Sequence, residues 1–255
     1  MKIHILASGS KGNATVYKSD ETTFMVDCGI SLNKIKEKLN KTDLILEEIK
    51  EIFITHEHTD HVSGLKQLLK QKTIETVFIS SLTLNSLPDE VKELMPNIFI
   101  VKADSVYNHK GIIIKTIELS HDAAEPIGYI FNNDTKKIVH ITDTGHVDYS
   151  YYDELTGADF YYLESNHCTA MLMKSKRPYV LKQRILGNKG HLSNLEATSL
   201  MNKLLTKPAI WVVAHISEEC NLKLKIEKEI VQNIDDLTLL DVIFTEQDKV
   251  EVIEL

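Results

Sequence analysis

The stretch FITHEHTDHVSG, residues 53–64, sets His56, His58, Asp60 and His61 within six residues, where an apolar run meets a helical one. Imidazole and carboxylate are the ligand types of Zn(II)-like divalent ions. An HxHxDH turn puts two imidazoles on one side and an aspartate and a third imidazole on the other, enough to begin two adjacent metal sites. Metals need further ligands, and three other apolar runs end in the same residue types. IIIKTIELSH ends at His121, KKIVHITD at Asp143 and AIWVVAH at His215. Four strands that all terminate in metal-ligating side chains predict a metal-dependent hydrolytic centre.

Those side chains have to be positioned by strands. Alternating or continuous β-branched runs predict them at 2–7, 15–18, 23–27, 52–55, 76–80, 98–101, 112–119, 127–131, 137–142, 159–164, 209–214, 239–245 and 250–253. Helical periodicity marks SLNKIKEKL, with Ser31 as its cap and Leu32, Ile35 and Leu39 on one face, and also VSGLKQLLK, NLEATSLMNKLL and EECNLKLKIEKEIV. No Pro- or Gly-rich linker intervenes, so the mixture predicts one α/β domain over residues 1–255, with sheets between helices.

ASGSKGNAT, residues 7–15, raises a second question. Glycine lets backbone N–H groups approach an anion, and Lys11 adds charge. Nucleotide loops, however, run into a helix, whereas this one runs into ATVY, which reads as a strand. The stretch is therefore expected to be a Gly/Asn hairpin.

Net charge is −8, which argues against nonspecific nucleic-acid binding, but the charge is uneven. No Asp or Glu occurs over residues 165–195, which hold Lys174, Lys176, Arg177, Lys182, Arg184 and Lys189 together with Tyr179. A solvated helix face and a phosphate-contacting surface are both open readings of that stretch. Cys28, Cys168 and Cys220 are odd in number and far apart, which suits reduced thiols. No apolar run reaches the ~20 residues needed to cross a bilayer, so a cytoplasmic protein without membrane contact is expected.

The ligand order His-x-His-x-Asp-His, His, Asp, His resembles that of the metallo-β-lactamase superfamily. The resemblance implies an α/β protein, an αββα four-layer sandwich, with two divalent ions, Zn(II) or Mn(II), at one edge. By matching motifs, His56, His58 and His121 would hold one ion and Asp60, His61 and His215 the other. Asp143 would bridge them, and Asp60 would also orient or deprotonate the water that becomes the attacking hydroxide. Asp27, in FMVDCG, is read either as a carboxylate supporting a ligand imidazole or as a turn former before Gly29.

GHLSN and LESNH resemble the tRNA 3′-processing phosphodiesterases of the superfamily, in which a histidine matching His191 donates a proton to the leaving oxygen and a glutamate matching Glu164 partners it. Together with ASGSKGNA, LSHDAAEPIGY, TDTG, QRILGNKGHLSN and AHIS, these motifs resemble the YycJ/WalJ (VicX) family over nearly the whole chain. That likeness implies a metal-dependent nuclease with 5′-to-3′ exonuclease action on DNA, with a tRNA- or RNA-processing phosphodiesterase as an alternative, and allows for a homodimer. Lys182 and Arg184 would then contact the phosphate backbone, and Ser8, Ser10 and Asn13 would receive a 5′-phosphate unless their turn is purely structural.

Cys168 stands where the family pattern has an acidic residue, and His167 has no assigned part. The chain has neither the large insertion of one nuclease group nor the projecting arm of the tRNA-processing enzymes. A lactonase or thioesterase would use the same ligands but not His191. A noncatalytic module is disfavoured, because no ligand is missing.

Overall fold

The computed structural model describes residues 1–255. The chain forms two compact units, one built of residues 1–118, 123–127 and 246–255, the other of 119–122 and 128–245.

The first unit holds strands β1 (Lys2–Ala7), β2 (Ala14–Lys18), β3 (Thr23–Val26), β4 (Glu51–Phe53), β5 (Thr76–Ser80), β6 (Ile98–Val101), β7 (Val106–His109) and β8 (Ile112–Glu118). The C-terminal strand β14 (Glu251–Glu254) pairs antiparallel with β1, giving a sheet ordered β14-β1-β2-β3-β4-β5-β6. From β14 to β3 the pairs are antiparallel, and from β3 to β6 they are parallel.

The alternating side chains divide this sheet into two faces. One face carries an aromatic row: Tyr17 stacks on Phe24 (centroids 5.2 Å apart) and Phe53 on Phe78 (4.2 Å), with Phe99 beyond at 4.9 Å from Phe78. On the other face Val16, Met25, Ile52, Ile54, Val77 and Ile79 share one buried cluster with Ile35 and Leu39 of helix α1 (Leu32–Leu39). Ser31 caps that helix as expected, its side chain accepting from the Lys34 N–H.

The single helix expected from VSGLKQLLK is two, α2 (Thr59–Val62) and α3 (Leu65–Leu69). Gly64 separates them and donates its N–H to the Cys28 carbonyl at 2.8 Å. A Cβ there would meet the Ile30 carbonyl oxygen at 2.0 Å, so this approach admits only glycine. Helices α4 (Ser81–Ser86) and α5 (Asp89–Lys92) complete the unit. Strand β7 was not among the expected strands. It pairs with β8 across Lys110-Gly111, whose φ values of 47° and 73° are those of a tight hairpin turn.

The second unit holds a sheet run ordered β13-β12-β11-β10-β9, comprising β9 (Ile127–Asn132), β10 (Lys137–Ile141), β11 (Phe160–Glu164), β12 (Ala209–Ala214) and β13 (Leu240–Phe244). β9 and β10 are antiparallel, while β10 to β13 run parallel. Its helices are α6 (Tyr152–Leu155), α7 (Thr169–Lys174), α8 (Tyr179–Leu186), α9 (Asn194–Leu204) and α10 (Lys223–Asn233). A capping box of Ser193 and Glu196 starts α9. The helix expected over EECNLKLKIEKEIV begins only at Lys223, because Asn221 is buried with its amide engaged by neighbouring loops.

Candidate metal centre and proton donor

In the first unit the site-forming residues follow the carboxyl ends of parallel strands, where open α/β sheets place ligands. Asp27 comes directly after β3, buried and in left-handed backbone (φ 58°). Its Oδ1 accepts the Thr55 N–H at 2.9 Å and its Oδ2 the Thr55 hydroxyl at 2.8 Å, and Oδ2 also meets His61 Nδ1 at 2.7 Å. A carboxylate against Nδ1 holds the proton there and leaves Nε2 as an electron-pair donor, the tautomer a metal ligand needs.

The His56 ring centroid lies 4.6 Å from that of His58 and 4.1 Å from that of His61, while Asp60 Oδ2 is 3.7 Å from His61 Nε2. Thr55, which sequence reading missed, also reaches His56 Nδ1 through its hydroxyl at 3.0 Å. Glu57 turns aside: its carboxylate accepts the Ala124 N–H at 2.7 Å and the Thr83 hydroxyl at 3.4 Å, anchoring the loop.

The 7–15 turn joins antiparallel β1 and β2, as a hairpin should. Asn13 straps it to the ligand loop. Its N–H donates to the Asp60 carbonyl at 2.7 Å, its Oδ1 accepts the Gly9 N–H at 2.9 Å, and its Nδ2 lies 3.1 Å from His61 Nε2. Ser8 is buried beside it and Ser10 is exposed.

In the second unit Asp143 and His215 follow β10 and β12, both in left-handed backbone (φ 58° and 50°). Such non-glycine outliers concentrate where a fold must aim a side chain. One carboxylate oxygen of Asp143 is ringed by three imidazoles: His215 Nε2 at 3.4 Å, His191 Nδ1 at 3.5 Å and His121 Nε2 at 3.9 Å. Burial pushes His121 below the usual imidazole range, which favours the neutral form a ligand requires. Its Nδ1 donates to the Gly190 carbonyl at 3.1 Å, which again leaves Nε2 as the electron-pair donor. Gly190 itself is irreplaceable, since a Cβ there would meet the Ile185 carbonyl oxygen at 2.1 Å.

Glu164, the last residue of β11, is wholly buried. Its Oε2 meets His191 Nδ1 at 3.0 Å and its Oε1 accepts the Thr144 N–H at 2.7 Å, so the structure brings together the two residues that the resemblance paired. A buried amide lattice sets their loops. Asn194 and Asn221 donate to each other's side-chain oxygens at 2.9 and 2.8 Å, Ser165 donates to Asn194 at 2.8 Å, and Asn221 also holds the Ser165 and Asn166 carbonyls. Asn166 in turn lies 3.0 Å from His215 Nδ1. Asn166 and Asn194 lie close to Glu164 and His191 in the sequence, but no sequence signal tied Asn221 to them.

The basic stretch is divided. Arg184 pairs with Asp122, the neighbour of His121. Lys182 turns inward, its ammonium donating to the Met173 and Ser175 carbonyls at 2.7 and 2.8 Å, and so it fastens α7 to α8 rather than facing solvent. Tyr179 is exposed. Buried His167 makes no hydrogen bond through either ring nitrogen.

The sequence profile of the Beta-lactamase superfamily domain matches residues 22–216. The exodeoxyribonuclease YycJ of Bacillus anthracis is 33% identical over 225 residues, covering 86% of this chain and 83% of that protein. The exodeoxyribonuclease WalJ of Streptococcus pneumoniae serotype 2 is 32% identical over 228 residues, covering 87% and 84%. The chain belongs to the YycJ/WalJ family.

Among solved structures, the metallo-β-lactamase fold protein YhfI from Bacillus subtilis matches this YycJ/WalJ member with a TM-score of 0.76 over 98% of both chains, at 13% identity. The metallo-β-lactamase fold expected from the resemblance is thus the fold of the chain, and the protein is a hydrolase of that superfamily. Its fold and its His/Asp clusters suit a divalent metal site. No helix is long and apolar enough to cross a membrane.

Proposed function

We propose that this YycJ/WalJ-family hydrolase is a single-domain, dinuclear metal-dependent phosphodiesterase that removes nucleotides from DNA in the 5′-to-3′ direction in the cytoplasm. The observation that carries the reading is the Glu164–His191 pair: a buried carboxylate behind a partly exposed imidazole, next to Asp143. Hydrolysis of a phosphodiester needs a proton for a poor leaving oxygen, and this pair supplies one. The relatives named exodeoxyribonuclease support a nucleic-acid substrate.

The donor set fits the metals. His61 and His121 each have Nδ1 facing a hydrogen-bond acceptor and Nε2 left as a donor atom. His56, His58 and His121 would hold one divalent ion and Asp60, His61 and His215 the other, with Asp143 shared. Zn(II) and Mn(II) both suit an all-His/Asp set. When bound, the ions supply Lewis acidity toward the phosphate and lower the pKa of water.

The protein's own groups do the rest. His191 carries a proton at Nε2 and passes it to the leaving oxygen, while Glu164 holds Nδ1, fixes the ring and stabilises its positive charge. Asp60 orients the attacking water and accepts its proton. Arg184 and the exposed lysines of the acid-free stretch steer the phosphate backbone. The hairpin bearing Ser8, Ser10 and Asn13 stands beside the ligand loop for the 5′-phosphate end. Time-resolved gels of end-labelled duplex DNA with Mn(II) test this: nucleotide-by-nucleotide shortening by the wild-type protein and none by His58→Ala is the expected outcome, and an inert wild-type protein overturns it.

A further inference from the structure

A cleft of about 400 Å³ opens in the second unit beside the segments that carry Asp143 and His191. Gly145 and Leu192, each within two residues of one of them, line it together with Tyr149, Leu195 and Lys203. Tyr149 is 71% exposed and Leu195 51%, so a concave surface next to the reacting groups leaves a tyrosine ring and a leucine side chain in water. Apolar area of this kind in a hollow marks a binding surface more often than a scattered surface residue does.

The ring is held in place. Asp148 caps the short turn that bears Tyr149 by accepting the Ser150 N–H at 2.8 Å, and the Tyr149 and Tyr152 rings lie 4.9 Å apart. The Lys203 ammonium sits over both rings, 5.1 Å from the Tyr149 centroid and 5.6 Å from that of Tyr152. The one carboxylate that lines the cleft, Glu196, is engaged as a cap by Ser193, and nearby Asp148 is engaged by Ser150. A fixed aromatic face, an apolar wall and one cation make the combination that receives a planar base and its adjoining phosphate.

We propose that this cleft is a nucleobase subsite, in which the base of a nucleotide next to the scissile phosphate stacks on the face of Tyr149 that Lys203 leaves uncovered, with Leu195 as apolar lining and the Lys203 ammonium as the cation for the adjoining phosphate. The proposal rests on the nuclease reading above. It explains why the cleft beside the proton donor exposes a tyrosine, and it makes cleavage sensitive to the presence of a base.

The test replaces terminal nucleotides of a DNA substrate, in turn from each end, with an abasic tetrahydrofuran unit. Cleavage by the metal-loaded protein is compared with that of intact DNA, and binding is measured by anisotropy on phosphorothioate-linked copies that resist cleavage. At one position the abasic unit should weaken binding and kcat/KM by about tenfold, the value of one base–aromatic stack. Tyr149→Ala should remove that difference and Tyr149→Trp should keep it. Equal behaviour of intact and abasic DNA at every position, or an undiminished difference in Tyr149→Ala, overturns the subsite. Base-dependent binding lost in Tyr149→Ala, without cleavage by the wild-type protein, upholds the subsite and overturns the nuclease reading instead.

Discussion

Glu164 Oε2 lies 3.0 Å from His191 Nδ1, with the carboxylate fully buried and the imidazole side chain 18% exposed. One partner fixes the ring and the other presents its free edge to substrate. Glu164→Gln keeps the shape and removes the charge that supports a protonated imidazole. On DNA, kcat is expected to fall about 10²-fold with KM little changed. Steady-state kinetics checks this, and wild-type kcat in a folded Glu164→Gln protein would assign the pair a purely structural role.

Asp27 supports His61 through a 2.7 Å contact, with Thr55 completing its hydrogen bonds. Loss of such a partner typically lowers metal affinity ~10–100-fold. Asp27→Asn is expected to release metal to a competing chelator at correspondingly lower chelator concentration. Unchanged retention in that titration would mean that Asp27 serves only the turn.

The positions of the candidate ligands were legible because each ends an apolar strand run, and that pattern is written in consecutive residues. What escaped depends on residues far apart in the chain. The Asn166, Asn194 and Asn221 lattice joins three loops, and the break at Gly64 depends on the backbone around Cys28 and Ile30. β7 was missed although its Lys110-Gly111 turn is a hairpin signal, because VYNH alternates only between exposed and half-buried positions. Lys182 shows a further limit: a lysine in a basic run reads as surface, yet here its stem is buried and its ammonium closes a turn.

Lys182→Met should therefore act on stability. It leaves the Met173 and Ser175 carbonyls without their donor, a loss of roughly 1–3 kcal/mol in chemical denaturation. DNA affinity and its salt dependence are expected to stay as in the wild type. A salt slope reduced by about one, the signature of a lost phosphate contact, would return Lys182 to the interface.

His167 links stability to pH. Burial, outweighing the nearby Glu164 and Glu196, lowers it from 6.5 to about 4. The native state then binds fewer protons than the unfolded chain between those values, so its contribution is complete above pH 6.5 and disappears as pH falls toward 4. At pH 5 the deficit from this one group amounts to about 2 kcal/mol. In His167→Phe, which has no such proton, the loss of stability between pH 7 and pH 5 should be smaller by that amount in denaturant titrations. An identical pH dependence in the two proteins would contradict it.

The proton donor is tested most directly by sulfur in place of the leaving oxygen, since a thiolate departs without protonation. With ordinary DNA, His191→Ala should lower the cleavage rate ~10²–10⁴-fold relative to the wild type. With the sulfur-bridged linkage the same variant should cleave within a few-fold of the wild-type rate. An equally large deficit on both substrates would show that His191 does not deliver the proton.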